Sequence, residues 1–236
     1  MKLIILVIMF SVLTVAQNYK LKILTFNVWS GLDYCGIIKV GEFENIEKRE
    51  LRFKNLLREI IAVKPDIIFL QEANPVNKYA ARLSESLGFD EIHQVCNAGI
   101  KIGPFGFPIN LQEGIVILAD KKLKLRQYDV WKLGGSFGVF GDAVTIHFDE
   151  SNFALVGKIL IDNSPLYLVN VHLLNDVPKD SIMKLKYEDY CYKNSISNSE
   201  KNNTYKIWGA KIYKLNHELE TLNEYINKFY NYLIFL

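Results

Sequence analysis

Charge of one sign, cysteine and long apolar runs are all scarce in this chain, and each shortage removes a class of function. There are 28 basic and 26 acidic side chains, a formal net charge of +2 and a pI near 8.2. A balance so close to neutral supplies no bulk field for wrapping nucleic acid. Cysteine occurs three times in 236 residues, at Cys35, Cys96 and Cys191, with no spacing that would cage zinc. Beyond the first residues no apolar run is long enough for a membrane-spanning helix, since Tyr167 to Leu174 is only strand-sized. What is present is core material. Half the residues are hydrophobic and 13% are aromatic, which excludes a disordered chain and allows one large domain.

The start of the chain has its own character. Met1-Lys2 is followed by a nearly uninterrupted apolar run from Leu3 to Val15, then Ala16-Gln17. A short charged start, an apolar stretch too short to span a bilayer comfortably and a small exit residue describe a secretory signal peptide. Residues 1–16 are therefore read as the leader and 17–236 as the domain, secreted or lumenal. An uncleaved anchor is the second reading. In an oxidising compartment one disulfide and one free thiol are open, with no pair favoured.

Lys20 to Trp29 reads as a first strand that emerges at Asn27 into a turn. Ile46, Phe53, Leu56, Leu57, Ile60 and Ile61 keep helical spacing, and the helix stops before Pro65. Pro65-Asp66-Ile67-Ile68-Phe69-Leu70-Gln71-Glu72 is a short buried strand that breaks abruptly into polar residues. Strand, helix and strand in this order form a crossover unit. A second helix is expected over Pro75 to Leu87, with Gly88 as its stop, then a short strand over Glu91 to Val95.

Gly99 to Ile109 is rich in glycine and proline yet apolar, and reads as a loop. It either packs on its own domain or forms an apolar tip that touches a lipid or apolar ligand. Gly114 to Leu118 and Leu123 to Trp131 are strands, and Gly134 to Gly141 is a second loop of glycine and phenylalanine. Ala143 to Phe148, Phe153 to Ile161 and Leu166 to Leu173 read as an antiparallel meander joined by tight turns. Asp180 to Asn203 is a polar surface segment, a long helix begins at Tyr205, and Tyr230 to Leu236 reads as a buried strand.

Three strands exit onto polar groups: Asn27, Glu72 and His172, the last in Val169-Asn170-Val171-His172-Leu173. Singly, each has an ordinary explanation as a turn residue, a solvated carboxylate or a core histidine. Together, a carboxylate, an amide and an imidazole at strand ends suit a divalent cation and a phosphate. Magnesium prefers oxygen ligands and keeps several waters, so one or two carboxylates suffice.

The segments Leu24-Thr25-Phe26-Asn27-Val28-Trp29, Pro65 to Glu72 and Val169 to Leu173 resemble the first three motifs of the endonuclease/exonuclease/phosphatase superfamily. That group includes DNase I-like nucleases, inositol polyphosphate phosphatases and neutral sphingomyelinases. The resemblance implies an α/β (α+β) fold, a four-layer αββα sandwich of two mixed sheets flanked by helices. It implies Mg2+ as cofactor, with Glu72 and Asn27 as metal ligands and His172 and Asn27 as the catalytic candidates. It places Glu113 where some members carry a further carboxylate. The implied activity is magnesium-dependent hydrolysis of a phosphodiester. Two Phe/Gly stretches lean the reading toward a sphingomyelin-type phospholipid at a membrane surface. A secreted DNase I-like nuclease acting on nucleic acid and a non-catalytic secreted binding domain are the alternatives.

The family's next motif, Gly-Asp-x-Asn, and its closing Asp-His pair are expected after the strand at Leu233 to Leu236, where this sequence ends. Gly141-Asp142 precedes His172 and lacks the Asn, so it is no substitute. The expectation is a sandwich incomplete at its C-terminus, with little activity as written.

Overall fold

The computed structural model describes residues 20–29, 31–33, 42–43, 45–102, 105–135, 138–140, 144–147, 151–173 and 188–229. The expected leader (residues 1–16), Cys35, Gly141-Asp142 and the expected strand from Tyr230 onward lie outside these residues. Two short strands, β2 (Leu32–Asp33) and β3 (Glu42–Phe43), pair with each other and follow β1 (Ile23–Asn27).

The crossover unit forms as the spacing predicts. Helix α1 (Ile46–Val63) starts at Asn45, whose side chain accepts from the Glu47 N–H at 2.7 Å. That satisfies one of the amides that a helix start leaves bare. It ends at Lys64 in a left-handed conformation, immediately before Pro65. Strand β4 (Ile67–Ala73) then lies parallel to β1, with Ile23 opposite Ile67. Helix α2 (Val76–Leu87) follows and stops at Gly88, at φ 69°.

The next stretch departs from expectation. Strand β5 (Phe89–Ile102) and strand β6 (Phe105–Asp120) form one long antiparallel hairpin, with Ile100 opposite Phe107 and Ile102 opposite Phe105. The Gly99 to Ile109 stretch is thus mostly two strand arms rather than a loop. Glycine and proline forbid a helix there, but extended backbone tolerates both near a sheet end.

After a 3-10 turn at Lys121–Leu123 come β7 (Arg126–Gly135), β8 (Gly138–Phe140), β9 (Val144–His147), β10 (Ser151–Ile161) and β11 (Ser164–Val171). The second glycine-phenylalanine stretch therefore holds part of β7 and all of β8. Strand β9 does not join a meander with β10 and β11. It pairs with β5 and β8, while β10 takes β7 as its other neighbour. Only the β10–β11 hairpin matches the meander. Its two-residue turn, Asp162-Asn163, has both φ angles positive, as the right-handed twist of a hairpin requires. A short helix α3, residues 188–193, precedes the long helix α4 (Asn198–Phe229), which begins seven residues before Tyr205.

Among the described strands, the larger sheet has the order β1-β4-β6-β5-β9-β8 and the smaller β11-β10-β7. Only the larger is mixed. Side-chain alternation sorts the core into three sheets of contact, and these define four layers. Phe53 and Ile60 of α1 and Ala80 and Leu83 of α2 pack on Ile68, Leu70, Val116 and Leu118. The alternate residues, Ile67, Phe69, Ile115 and Ile117, meet Leu155, Ile159, Leu166 and Leu168 between the sheets. Trp131, Leu133, Ala154 and Val156 point the other way, toward Leu222 and Tyr225 of α4. The Trp131 and Tyr225 rings stack at 5.0 Å. Glu218, fully buried on α4, accepts from Asn152 Nδ2 at 2.6 Å and ties that helix to β10.

At the end of the sandwich where β4 begins, Asp66 accepts from the Lys22 amide at 3.0 Å and from Lys122 Nζ at 2.7 Å. The Lys122 bond, then the amide bond, hold its carboxyl below the usual value of 3.8. A carboxyl lowered by folding adds stability that is complete above its unfolded value and is lost as pH falls through the folded one. Asp66→Asn is expected to destabilise the protein by about 1 kcal/mol at neutral pH. The gap from the parent should close as the pH drops below 3.8, followed by urea unfolding midpoints across acid pH.

Candidate active site

The site is made by an irregularity in β4. Leu70 lies opposite Val116 but Ala73 lies opposite Gly114, so β4 carries one residue more than its partner between those points. Such a bulge breaks the strict alternation of faces. Leu70 and Ala73 both enter the core under the helices. Gln71 and Glu72 fall between them, and both reach groups on the opposite side. Gln71 Nε2 donates to Thr25 Oγ1 at 3.3 Å and Asn170 Oδ1 at 2.8 Å. Glu72 takes a left-handed φ of 59° to do so. A non-glycine residue in that region carries strain that its surroundings must hold. Gly114 is required on the partner strand, because a Cβ there would strike the Gln94 carbonyl and sit 3.0 Å from Val76 Cγ2.

Glu72 then meets the other two polar strand ends. Asn27 Nδ2 donates to Glu72 Oε1 at 2.7 Å, and the Asn27 Oδ1 accepts from the Trp29 amide at 2.9 Å. His172 Nε2 stands 3.7 Å from the same Glu72 oxygen, beyond direct hydrogen-bond range. The Glu72 and His172 side chains are 17% and 28% exposed, so the cluster lies at a rim that solvent reaches. The structure thus brings Asn27, Glu72 and His172 together from β1, β4 and the end of β11, on two different sheets. Glu113 lies midway along β6, next to Gly114, and its charge acts on Cys96. Burial first, and Glu113 second, push that thiol up to about 12, so it is inert as a nucleophile at neutral pH. Cys96 and Cys191 are both buried free thiols.

The sequence alone assigns Asn170 no task, and the structure gives it one. Its side chain is buried from the smaller sheet into the larger. Nδ2 donates to the Leu70 carbonyl at 2.9 Å and the Val116 carbonyl at 2.8 Å, while Oδ1 takes the Gln71 amide. Both carbonyls flank the register break. Asn170 lies two residues before His172, so the same bonds set where that imidazole stands relative to Glu72. The available signal was an amide inside the otherwise apolar run Leu168 to Leu173.

The donor chemistry can be compared with a cation's needs. No group of three His, Cys, Asp or Glu residues that would cage a metal occurs among the described residues. One carboxylate with an adjacent amide instead fits a hard cation that keeps most of its water and takes further oxygens from a substrate phosphate. It does not fit a closed zinc site.

The sequence model of the Endonuclease/Exonuclease/phosphatase family matches residues 24–181, a span that contains all three residues. No curated protein matches by sequence. Several solved structures are similar at low identity. Truncated Caenorhabditis elegans TDP2 is 17% identical with a TM-score of 0.41, over 66% of this chain and 47% of that one. The human Nocturnin catalytic domain with bound sulfate is 15% identical with a TM-score of 0.41, over 67% and 52%. ANGEL2, described as a 2',3'-cyclic phosphatase, is 18% identical with a TM-score of 0.41, over 66% and 41%. The chain spans about half the length of these structures or less.

Asn170→Ala removes two buried donor bonds to the Leu70 and Val116 carbonyls and the acceptor of the Gln71 side-chain amide, and is expected to cost about 2–3 kcal/mol in urea unfolding. Asn170→Asp should be at least as damaging, since a carboxylate would face two carbonyl oxygens with no proton to offer. An aspartate variant as stable as the parent would show that these bonds do not hold the sheets in register.

Proposed function

This chain belongs to the endonuclease/exonuclease/phosphatase family, and we propose that it is built to hydrolyse a phosphodiester with Mg2+ at the rim where Asn27, Glu72 and His172 meet. One observation carries the reading. A carboxylate, the amide that orients it and an imidazole from the facing sheet converge within 2.7 Å and 3.7 Å of a single oxygen, Glu72 Oε1. The family match supports phosphoester hydrolysis in general. The diester, the metal and the roles below are our inference.

Glu72 would hold the cation, which supplies neutralisation of phosphoryl charge when bound. Asn27 fixes the carboxylate through its Nδ2 donor, and its own orientation is fixed by the Trp29 amide. His172 does not bond Glu72 directly, so its Nε2 is placed to donate to a phosphate oxygen entering beside the carboxylate. Preorganised donors of this kind stabilise charge that develops in the transition state.

For the substrate, the phospholipid reading of sphingomyelinase type rests on the Gly99 to Ile109 and Gly134 to Gly141 stretches, and the nuclease reading on the family motifs alone. The apolar run Leu3 to Val15 supports work on the secretory side of the cell.

Hydrolysis of sphingomyelin liposomes and of plasmid DNA, each with Mg2+ and with EDTA, tests both levels. Any turnover should fall on one substrate, require Mg2+ and vanish with chelator, and it should be low in this sequence, which contains neither a Gly-Asp-x-Asn motif nor an Asp-His pair. Glu72→Ala should lower kcat on the order of 10³-fold and weaken Mg2+ binding, and His172→Ala should lower kcat by about 10²–10³-fold. Full turnover by Glu72→Ala sinks the metal assignment. No turnover on either substrate together with no Mg2+ binding favours a binding domain that lacks the chemistry.

A further inference from the structure

The chain carries a single acceptor sequence for N-linked glycan, Asn202-Asn203-Thr204, and the function proposed above leaves it without a use. Asn203 is not itself an acceptor, because the residue two beyond it is Tyr205. The sequence falls in the second turn of α4 (Asn198–Phe229). That helix starts at Ser197 in a reciprocal cap. The Glu200 amide donates to Ser197 Oγ at 3.3 Å, and the Ser197 amide and hydroxyl donate to Glu200 Oε2 at 3.1 and 2.7 Å. The cap fixes the first turns, and with them the face on which Asn202 lies.

That face is open. Asn202 is exposed, and its side-chain amide bonds nothing among the described residues. Asn198 and Ser199, one turn before it, and Lys206, one turn after, are exposed as well. Tyr205 is half-buried, and its hydroxyl donates to Glu188 of α3 at 3.0 Å, so α3 borders this face without covering Asn202. The residues that tie α4 to the smaller sheet, Glu218, Leu222 and Tyr225, come much later. From Asn202 to Glu218 is about 24 Å of helix at about 1.5 Å per residue. A bulky polar group on Asn202 Nδ2 therefore displaces no contact of the core.

The composition of the segment bears on when Asn202 could be modified. Asn198, Ser199, Asn202, Asn203 and Thr204 are weak helix formers, crowded into the first two turns of a 32-residue helix. A solvated helix face needs only polarity, and Lys, Glu or Gln would supply it with better helix propensity. In the fold Thr204 Oγ1 donates to the Glu200 carbonyl at 3.1 Å, so the hydroxyl that completes the acceptor sequence is turned back onto the helix. The acceptor has to be read before that bond forms. A stretch of low propensity closes late into helix and keeps Asn202 and Thr204 open for longer.

We propose that Asn202 is an N-glycosylation site, modified as the chain enters the secretory lumen and before α4 closes. The inference rests on the secretory reading of Leu3 to Val15. The donor is an oligosaccharide held through its anomeric carbon on a lipid pyrophosphate. The bond from that carbon to the pyrophosphate oxygen breaks, and a bond from the carbon to Asn202 Nδ2 forms. The amide gives up one proton, the lipid pyrophosphate leaves, and nothing is oxidised or reduced. The glycan then stands on the exposed start of α4 as solvated bulk.

The test expresses the whole chain in cultured mammalian cells and separates the lumenal and secreted fractions from the cytosol. Digestion with peptide N-glycosidase should raise the gel mobility of the lumenal protein, and mass spectrometry should find Asn202 converted to aspartate in the digested peptide. Asn202→Gln and Thr204→Ala should each abolish the mobility shift. Thr204→Ser should keep it. So should Asn203→Gln, which makes the same change one residue along and leaves the acceptor intact. A lumenal parent whose mobility the glycosidase does not alter, or an Asn202→Gln chain that still shifts, overturns the site. A parent found only in the cytosol overturns the secretory reading and the glycan together. Phosphodiester hydrolysis is not the readout, so the phosphohydrolase assignment stands or falls separately.

Discussion

One buried amide governs how the two sheets of this protein meet. Asn170 enters from β11 and gives both protons of its side chain to backbone carbonyls of β4 and β6, while its oxygen receives Gln71. The apolar contact between the sheets is large but indifferent to small slips, because hydrophobic burial has no direction. An amide whose three bonds end on two strands does not tolerate a slip. Each bond adds little net stability, yet any left unmade in the core carries the full desolvation cost. Register is therefore set by polar groups, and the bulk of the burial by the apolar residues around them.

That constraint reaches the chemistry through two short connections. His172 is two residues beyond Asn170, and Glu72 is one residue beyond Gln71. The β4 bulge and the left-handed Glu72 would relax if β4 were free to regain its alternation. The Asn170 bonds to Leu70 and Val116 sit at the points where it would have to move. Strain at Glu72 is thus held by the sheet contact, and the same contact sets the distance to the imidazole. A site assembled from two sheets needs such a shared fixed point more than one built on a single strand does.

How far the sequence foretold this differs by element. The β1–α1–β4 crossover was legible because its period changes cleanly from strand to helix to strand, with Asn45, Lys64-Pro65 and Gly88 marking ends by local chemistry. The meeting of Asn27, Glu72 and His172 was legible only as strand ends that turn polar, and from the family motifs. The bulge was not legible, since Leu-Gln-Glu-Ala has the same letters with or without an extra residue in the ladder. Nor was the β5–β6 hairpin, where glycine and proline read as loop although paired backbone accepts them. Strand β9 went to the other sheet for a reason no local pattern carries: strand pairing is decided by which partner is within reach after the chain has turned.

Net charge illustrates the same limit in electrostatics. A value of +2 supplies no bulk field over the surface. It says nothing about a groove. Arg49 and Arg52 are three apart on α1, Lys78 and Arg82 four apart on α2, and each spacing puts its pair on one helix face. What the letters withhold is that the two faces look at each other across one cavity beside Trp29. Charges of opposite sign elsewhere, such as Asp66 with Lys122 at the far end of β4, cancel in the sum but not in space. With screening over about 8 Å in physiological salt, a phosphate at the rim would feel the charges within that reach and not the chain's total.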